Sequence, residues 1–163
     1  MKKNIIRIIL ILLLAITFIV IFNFSNEDSI KSGNTSKKIT NEITKNIDSI
    51  QKLDKVEKTK ELDRIESIIR KIAHFSLYTL VGILLMAICS TYNLNEKIRI
   101  IISLLSGIVY AISDEIHQMF IAGRTAKPTD VFIDTLGVIL GIVITMLILK
   151  ITSNRNKKEK SKI

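Results

Sequence analysis

The 163-residue sequence lacks most of the features by which a protein's chemistry is recognised. Cys89 is the only cysteine, so an intrachain disulfide is impossible, and we expect the thiol to pack among helices as a small apolar group. No zinc-ligand spacing or RNP-type aromatic motif accompanies the net charge of +9, which argues against a nucleic-acid partner. Because there is no glycine-rich phosphate loop, the Asp-Glu-Ile-His string at 114–117 does not indicate a helicase.

Long apolar runs are what the sequence does have. Hydrophobic residues make up 48% of the chain, with a mean hydropathy of +0.37, and they are gathered in blocks, as is typical of a chain that spans a bilayer. We therefore expect an all-α fold in a single domain over 1–163, a membrane helical bundle of four transmembrane helices. The predicted transmembrane helices cover 5–22, 72–89, 98–116 and 131–149, with a polar loop at 117–130 and a basic tail at 150–163.

The first apolar run, 5–22, has two interpretations. Lys2, Lys3 and Arg7 precede it, as basic residues precede the apolar core of a signal peptide. The residues that follow, 23–27, offer no small-x-small cleavage site. We favour an uncleaved first transmembrane helix, which Arg7 lengthens by snorkelling.

The connection at 23–71 has a different composition, dominated by charged residues. Apolar residues recur along it in steps of three and four, which predicts an amphipathic helical segment between the first and second transmembrane helices. Such a segment lies along the membrane surface, docks a protein partner through 39–69, or is a solvated spacer. The stripe consists of Ile39, Ile43, Ile47, Ile50, Leu53, Val56, Leu62, Ile65, Ile68 and Ile69.

The distribution of Lys and Arg predicts the orientation. Basic residues flank the amino end, the connection at 90–97 and the tail, which lie on one side of a four-span chain, and positive-inside reasoning makes that side cytoplasmic. The eleven Lys and Arg residues at 23–71 oppose this assignment, although nine Asp and Glu residues are interleaved with them. We predict a multi-pass protein of the plasma membrane with both termini cytoplasmic.

Polar side chains converge at one end of the predicted bundle. They begin the second helix, end the third and begin the fourth, so connectivity alone puts them on one side of the membrane. Residues three and four apart share a helix face, and glycines continue each polar stripe inwards, where they allow close helix approach. We predict an outward-facing polar cup that binds a ligand, with Arg124 as the natural binder of a phosphate or carboxylate. The predicted ligand-binding residues are Lys71, His74, Tyr78, Asp114, Glu115, Gln118, Arg124, Asp130 and Asp134.

Other roles stay open for these residues. A structural ion-pair network is an equally good interpretation of Lys71, Asp114, Arg124 and Asp130, since such networks also pair buried charges. A catalytic interpretation uses His74 or His117 as general base and Asp114 or Glu115 to orient it. Asp114, Glu115 and His117 make a weak metal set without a second His or Cys, so we expect no metal and no cofactor.

In combination, these motifs resemble those of the VanZ-like membrane proteins. The matching pieces are Arg70-Lys71-Ile72-Ala73-His74-Phe75 with Tyr78 and Gly82, Ser113-Asp114-Glu115-Ile116-His117-Gln118 with Phe120, Gly123-Arg124, Asp130-Val131, and Asp134 with Gly137 and Gly141. Ala122 stands where the family usually has proline. The resemblance implies a small bacterial multi-span protein related to one that confers low-level resistance to the glycopeptide teicoplanin.

Three hypotheses of function follow. In the first, the cup binds a cell-envelope lipid or amphiphile and modulates glycopeptide susceptibility; the candidate partners are membrane lipids, a lipid-linked cell-wall precursor or an amphiphilic antibiotic. In the second, the protein is a membrane-embedded enzyme acting on a lipid-linked or phosphate-containing envelope substrate. In the third, it is a membrane scaffold that uses 39–69.

The orientation can be tested with topology reporters. We expect a reporter fused after Ile163 to report the cytosol, and one inserted at the Gly123 turn to report the exterior, because the basic residues cluster on the terminal side. A cytosolic signal from the Gly123 insertion would contradict an outward-facing cup.

Overall fold

The computed structural model describes residues 2–26, 38–121 and 127–160, which are helical with short connections and contain no strand. Within these residues, four candidate membrane spans lie at Lys3–Asn26, Lys55–Ser90, Glu96–Gln118 and Pro128–Arg155. This confirms the predicted all-α, four-helix architecture. The helices are α1 (Lys2–Asn26), α2 (38–44), α3 (Asp48–Gln51), α4 (Lys55–Ser90), α5 (Glu96–Gln118) and α6 (Pro128–Lys160).

Local sequence explains where the long helices begin. The Asp54 carboxylate accepts hydrogen bonds from the backbone N–H groups of Val56 and Glu57, and the Asn95 amide oxygen accepts one from Ile98 N–H, so both residues cap a helix. Pro128 is the first residue of α6, a position at which its missing N–H costs nothing. The fourth long helix therefore begins three residues before the predicted transmembrane span at 131–149.

The charged connection and the second transmembrane segment join in one helix. The 36 residues of α4 extend about 54 Å, well beyond the roughly 30 Å of a hydrocarbon core, so its charged amino-terminal part extends past the bilayer. Before it, α2 and α3 leave Ile39 and Ile43 exposed and bury Ile50. Residues 27–37 lie outside the described part of the chain.

The two sides of the bundle are marked by contacts of α1. Near its start, Arg7 donates hydrogen bonds from Nε to Thr91 Oγ1 (3.0 Å) and from Nη2 to Thr91 O (3.2 Å), at the turn between α4 and α5. Farther along, the Tyr110 hydroxyl donates to Phe18 O (3.0 Å) and the two rings stack with centroids 3.8 Å apart. The amino end of α1 therefore lies on the same side as the α4–α5 turn, as a four-span chain requires.

Helices α4 and α6 pack with almost no space between their backbones. A Cβ added to Gly82 would collide with the carbonyl oxygen of Val138, and one added to Gly141 would collide with that of Thr79. Gly137 and Gly141 have the small-residue spacing that permits such an approach within a membrane. The predicted role of these glycines is confirmed, and this contact fixes which faces of α4 and α6 meet.

We expect Gly82→Val to destabilise the protein by at least about 3 kcal/mol, because the added methyl groups have only backbone to displace. Ala73→Val, which enlarges an exposed small residue on the same helix, is the matched control and should change stability little. Thermal unfolding in detergent measures both variants; equal midpoints would contradict the packing described here.

Candidate functional site

The polar side chains meet at the end of the bundle opposite the α4–α5 turn. His74 and Tyr78 lie one turn apart on α4, Asp114 lies near the end of α5, and Asp134 lies near the start of α6. One ligand atom from each of His74, Asp114 and Asp134 lies within 4.8 Å of the other two, and His74 Nδ1 is 3.9 Å from Asp134 Oδ2. We call His74, Tyr78, Asp114 and Asp134 the buried cluster.

The position of the buried cluster along the helices puts it close to the bilayer boundary. His74 precedes Thr91 by seventeen residues on one continuous helix, or about 26 Å, which is slightly less than the thickness of the hydrocarbon core. Since Thr91 contacts Arg7 at one boundary, His74 lies near the other, and Tyr78 lies one turn deeper. The cluster therefore lies near one face of the membrane.

These groups are well removed from solvent. Tyr78 has none of its surface exposed, Asp134 has 3% and Asp114 has 6%. Ionisable groups inside a membrane protein are costly unless they are paired or bind something, so their presence here marks a candidate functional site. The ring of His74 is stacked with that of Tyr78 at 6.4 Å and faces Asp134, which orients the imidazole.

Asp114 is held by a neutral amide. Gln118 Nε2, one turn along α5, donates to Asp114 Oδ2 (3.2 Å) and also to the buried hydroxyl of Ser25 on α1 (3.3 Å). The amide therefore joins the cluster to the end of α1. Sequence reasoning missed Ser25 as part of the site, because a contact across 93 positions leaves no periodic pattern.

The remaining carboxylates have partners at the rim. Lys71 Nζ lies 3.5 Å from Asp130 Oδ1, with both side chains partly exposed. Glu115 Oε1 accepts a hydrogen bond from the backbone N–H of Lys127 (2.6 Å) and so ties the end of α5 to the residue before α6. Lys71 and Asp130 thus form an ion pair, whereas Glu115 has a structural partner.

The structure separates His117 from the cluster. Its ring stacks on Phe22 of α1 with centroids 4.7 Å apart, and its Nε2 is buried with no hydrogen-bond partner in the described part of the chain. The set considered from sequence for a metal, with Glu115 and His117 beside Asp114, differs from the trio whose ligand atoms meet here. Arg124, the predicted phosphate binder, lies outside the described residues.

An apolar groove of about 370 Å³ lies between α1, α4 and α5. It extends along α5 up to Ser113, the residue before Asp114. Tyr110 lines it and also packs against Tyr78, with ring centroids 6.0 Å apart, so Tyr110 connects the wall of the groove to the buried cluster. The lining residues are Leu14, Phe18, Leu85, Ser106, Val109, Tyr110 and Ser113.

Four candidate membrane spans and a buried group of ionisable side chains define an integral membrane protein with a polar site near one boundary of the bilayer. The model of the VanZ/LLP1 family matches residues 8–149, most of the chain, and the protein therefore belongs to the VanZ/LLP1 family. No curated protein and no solved structure matches it significantly.

Two substitutions in the site should lower the free energy of unfolding by different amounts, because the ion pairs they break differ in burial. We expect His74→Leu to destabilise the protein by at least about 3 kcal/mol, because it leaves the buried Asp134 without its partner. Lys71→Met breaks the partly exposed pair with Asp130 and should cost less than about 1 kcal/mol. Unfolding in detergent measures both, and equal losses would contradict the difference in environment.

Proposed function

We propose that this VanZ/LLP1 protein binds a cell-envelope lipid or amphiphile. The polar head lies at the buried cluster and its rim, and the hydrocarbon chain lies in the groove between α1, α4 and α5. The protein acts in the plasma membrane, with the site facing outwards. Binding there changes how lipid-directed glycopeptides of the teicoplanin type meet the membrane surface.

The observation that carries this proposal is the placement of buried carboxylates beside an apolar groove. The carboxylates of the cluster accept hydrogen bonds from hydroxyl or ammonium groups of a head group. At the rim, Lys71 is partly exposed and pairs with Asp130, and its ammonium group has further N–H donors for a phosphate, a role that the sequence also predicts for Arg124. A molecule with a polar head and an apolar chain matches both halves of the site.

The groove favours an amphiphile over a small polar solute. Its walls are Leu14, Phe18, Leu85 and Val109 at the depth of the hydrocarbon core, where an acyl or prenyl chain is the available occupant. Ser106 and Ser113 are its polar side chains along α5. Because the groove leads towards Asp114, a chain lying in it brings its head group to the cluster.

Catalysis is the second candidate function. It is favoured by one observation, the imidazole of His74 facing the carboxylate of Asp134, since a carboxylate that orients an imidazole is a common arrangement for a general base. In this interpretation the substrate is a lipid-linked or phosphate-containing envelope molecule. Turnover of a purified polyprenyl phosphate or phospholipid, lost in His74→Ala, distinguishes this function from binding.

A direct test fills the groove without altering the charged residues. We expect Ser106→Phe to weaken binding of a polyprenyl phosphate by the protein in detergent at least about fivefold, or about 1 kcal/mol, because the ring takes the place of the chain. Leu105→Phe, on the neighbouring exposed surface, is the control and should bind as the wild type does. Native mass spectrometry gives both affinities.

The same two variants test the cellular consequence. In a teicoplanin-sensitive bacterium, we expect the wild type and Leu105→Phe to raise the inhibitory concentration of teicoplanin and Ser106→Phe to fail, at matched abundance in the membrane. Unimpaired lipid binding by folded Ser106→Phe would overturn the proposed site. Wild-type protein that binds the lipid but leaves the inhibitory concentration of teicoplanin unchanged would overturn only the link to susceptibility.

A further inference from the structure

The three donors of the buried cluster are spaced for a single metal ion. Two ligand atoms that each lie about 2.1 Å from one ion are at most about 4.2 Å apart. The 3.9 Å between His74 Nδ1 and Asp134 Oδ2 is within this limit, and Asp114 supplies a third ligand atom within 4.8 Å of both. Side-chain adjustment brings the third ligand atom within the same limit.

The charges of the cluster leave room for a cation. Asp114 and Asp134 carry two negative charges when both are ionised, and His74 supplies at most one positive charge. Within 2–26, 38–121 and 127–160, no lysine or arginine forms an ion pair with Asp114 or Asp134. The nearby Lys71 pairs with Asp130 instead. A divalent cation balances both carboxylates and leaves the imidazole neutral, which is the form that coordinates a metal.

A second, independent observation points to a ligand at the same place. The side chain of Tyr78 is fully buried, and its hydroxyl has no hydrogen-bond partner in the part of the chain that the structure describes. The Asp114 carboxylate is close to this hydroxyl but does not meet hydrogen-bond geometry with it, so the hydroxyl is directed at the cluster. A buried hydroxyl without a partner costs free energy, and an oxygen ligand on a metal ion would supply that partner.

We propose that His74, Asp114 and Asp134 bind one divalent transition-metal ion, Zn²⁺ or Mn²⁺. Carboxylate ligands suit Mn²⁺, imidazole suits Zn²⁺, and both ions accept this mixed set without a thiolate. Three protein ligands leave at least one coordination position for water or another oxygen ligand, to which the Tyr78 hydroxyl hydrogen-bonds. This site does not rest on the proposed lipid binding, because the ion binds to the protein alone.

The test measures metal on the full-length protein in detergent. After removal of bound metal with a chelator, the protein is dialysed against Zn²⁺ or Mn²⁺ and the bound ion is quantified by mass spectrometry. We expect one ion per chain at saturation and at least about tenfold weaker binding by Asp114→Asn and by Asp134→Asn. In the Mn²⁺ form, pulsed electron paramagnetic resonance should detect coupling to a histidine nitrogen that His74→Gln abolishes.

Two controls match the chemistry of the altered groups. His117→Gln removes the other imidazole at this end of the bundle, and Glu66→Gln removes a carboxylate that is 5% exposed and pairs with Arg70. Both should bind the ion as the wild type does. Less than one ion per chain, or equal binding by cluster and control variants, would overturn the proposal.

Thermal unfolding separates lost coordination from poor folding. The ion should raise the melting temperature of the wild type and of both controls, since a ligand that binds only the folded state stabilises it. At the same concentration of ion, it should raise that of Asp114→Asn or Asp134→Asn much less. A comparable rise in both of these variants would contradict the assignment of the ligands, whatever their stability without metal.

Discussion

The arrangement of the helices depends on two buried carboxylates, Asp114 and Asp134. Burying them inside a helical bundle, where water cannot solvate them, costs free energy. Three neighbouring groups offset this cost by interacting with the carboxylates: the imidazole of His74, the amide of Gln118 and, in our proposal, a divalent cation. Gln118 lies one turn from Asp114 on α5, whereas the imidazole of His74 and the two carboxylates meet only when α4, α5 and α6 pack in a specific register. The charged groups therefore specify the register of the helices as well as the site.

The glycines make that register possible. Gly82 and Gly141 let the backbones of α4 and α6 meet, so that the faces carrying His74 and Asp134 lie opposite one another about two turns away. A bulkier side chain at either glycine would separate the two helices and carry the imidazole away from the carboxylate. Packing in the middle of the bundle and chemistry at its end are thus consequences of the same contact.

Much of this was predictable from sequence, for identifiable reasons. Apolar blocks gave the four spans, and spacing of three and four residues placed His74 with Tyr78 and Asp130 with Asp134 on common faces. Spacing could not show that Glu115 is tied to Lys127 while Asp114 faces the cluster. Nor could it show that His117 lies against Phe22, since contacts between distant helices follow from packing and not from periodicity.

The central claim is that the buried cluster encloses something other than protein. The most direct measurement is an experimental structure of the full-length chain in lipid nanodiscs, refined with the protein as purified. Our account predicts non-protein density within coordination distance of His74, Asp114 and Asp134, next to the hydroxyl of Tyr78. Side chains that close on one another with no such density, or that turn outwards to the lipid, would contradict it.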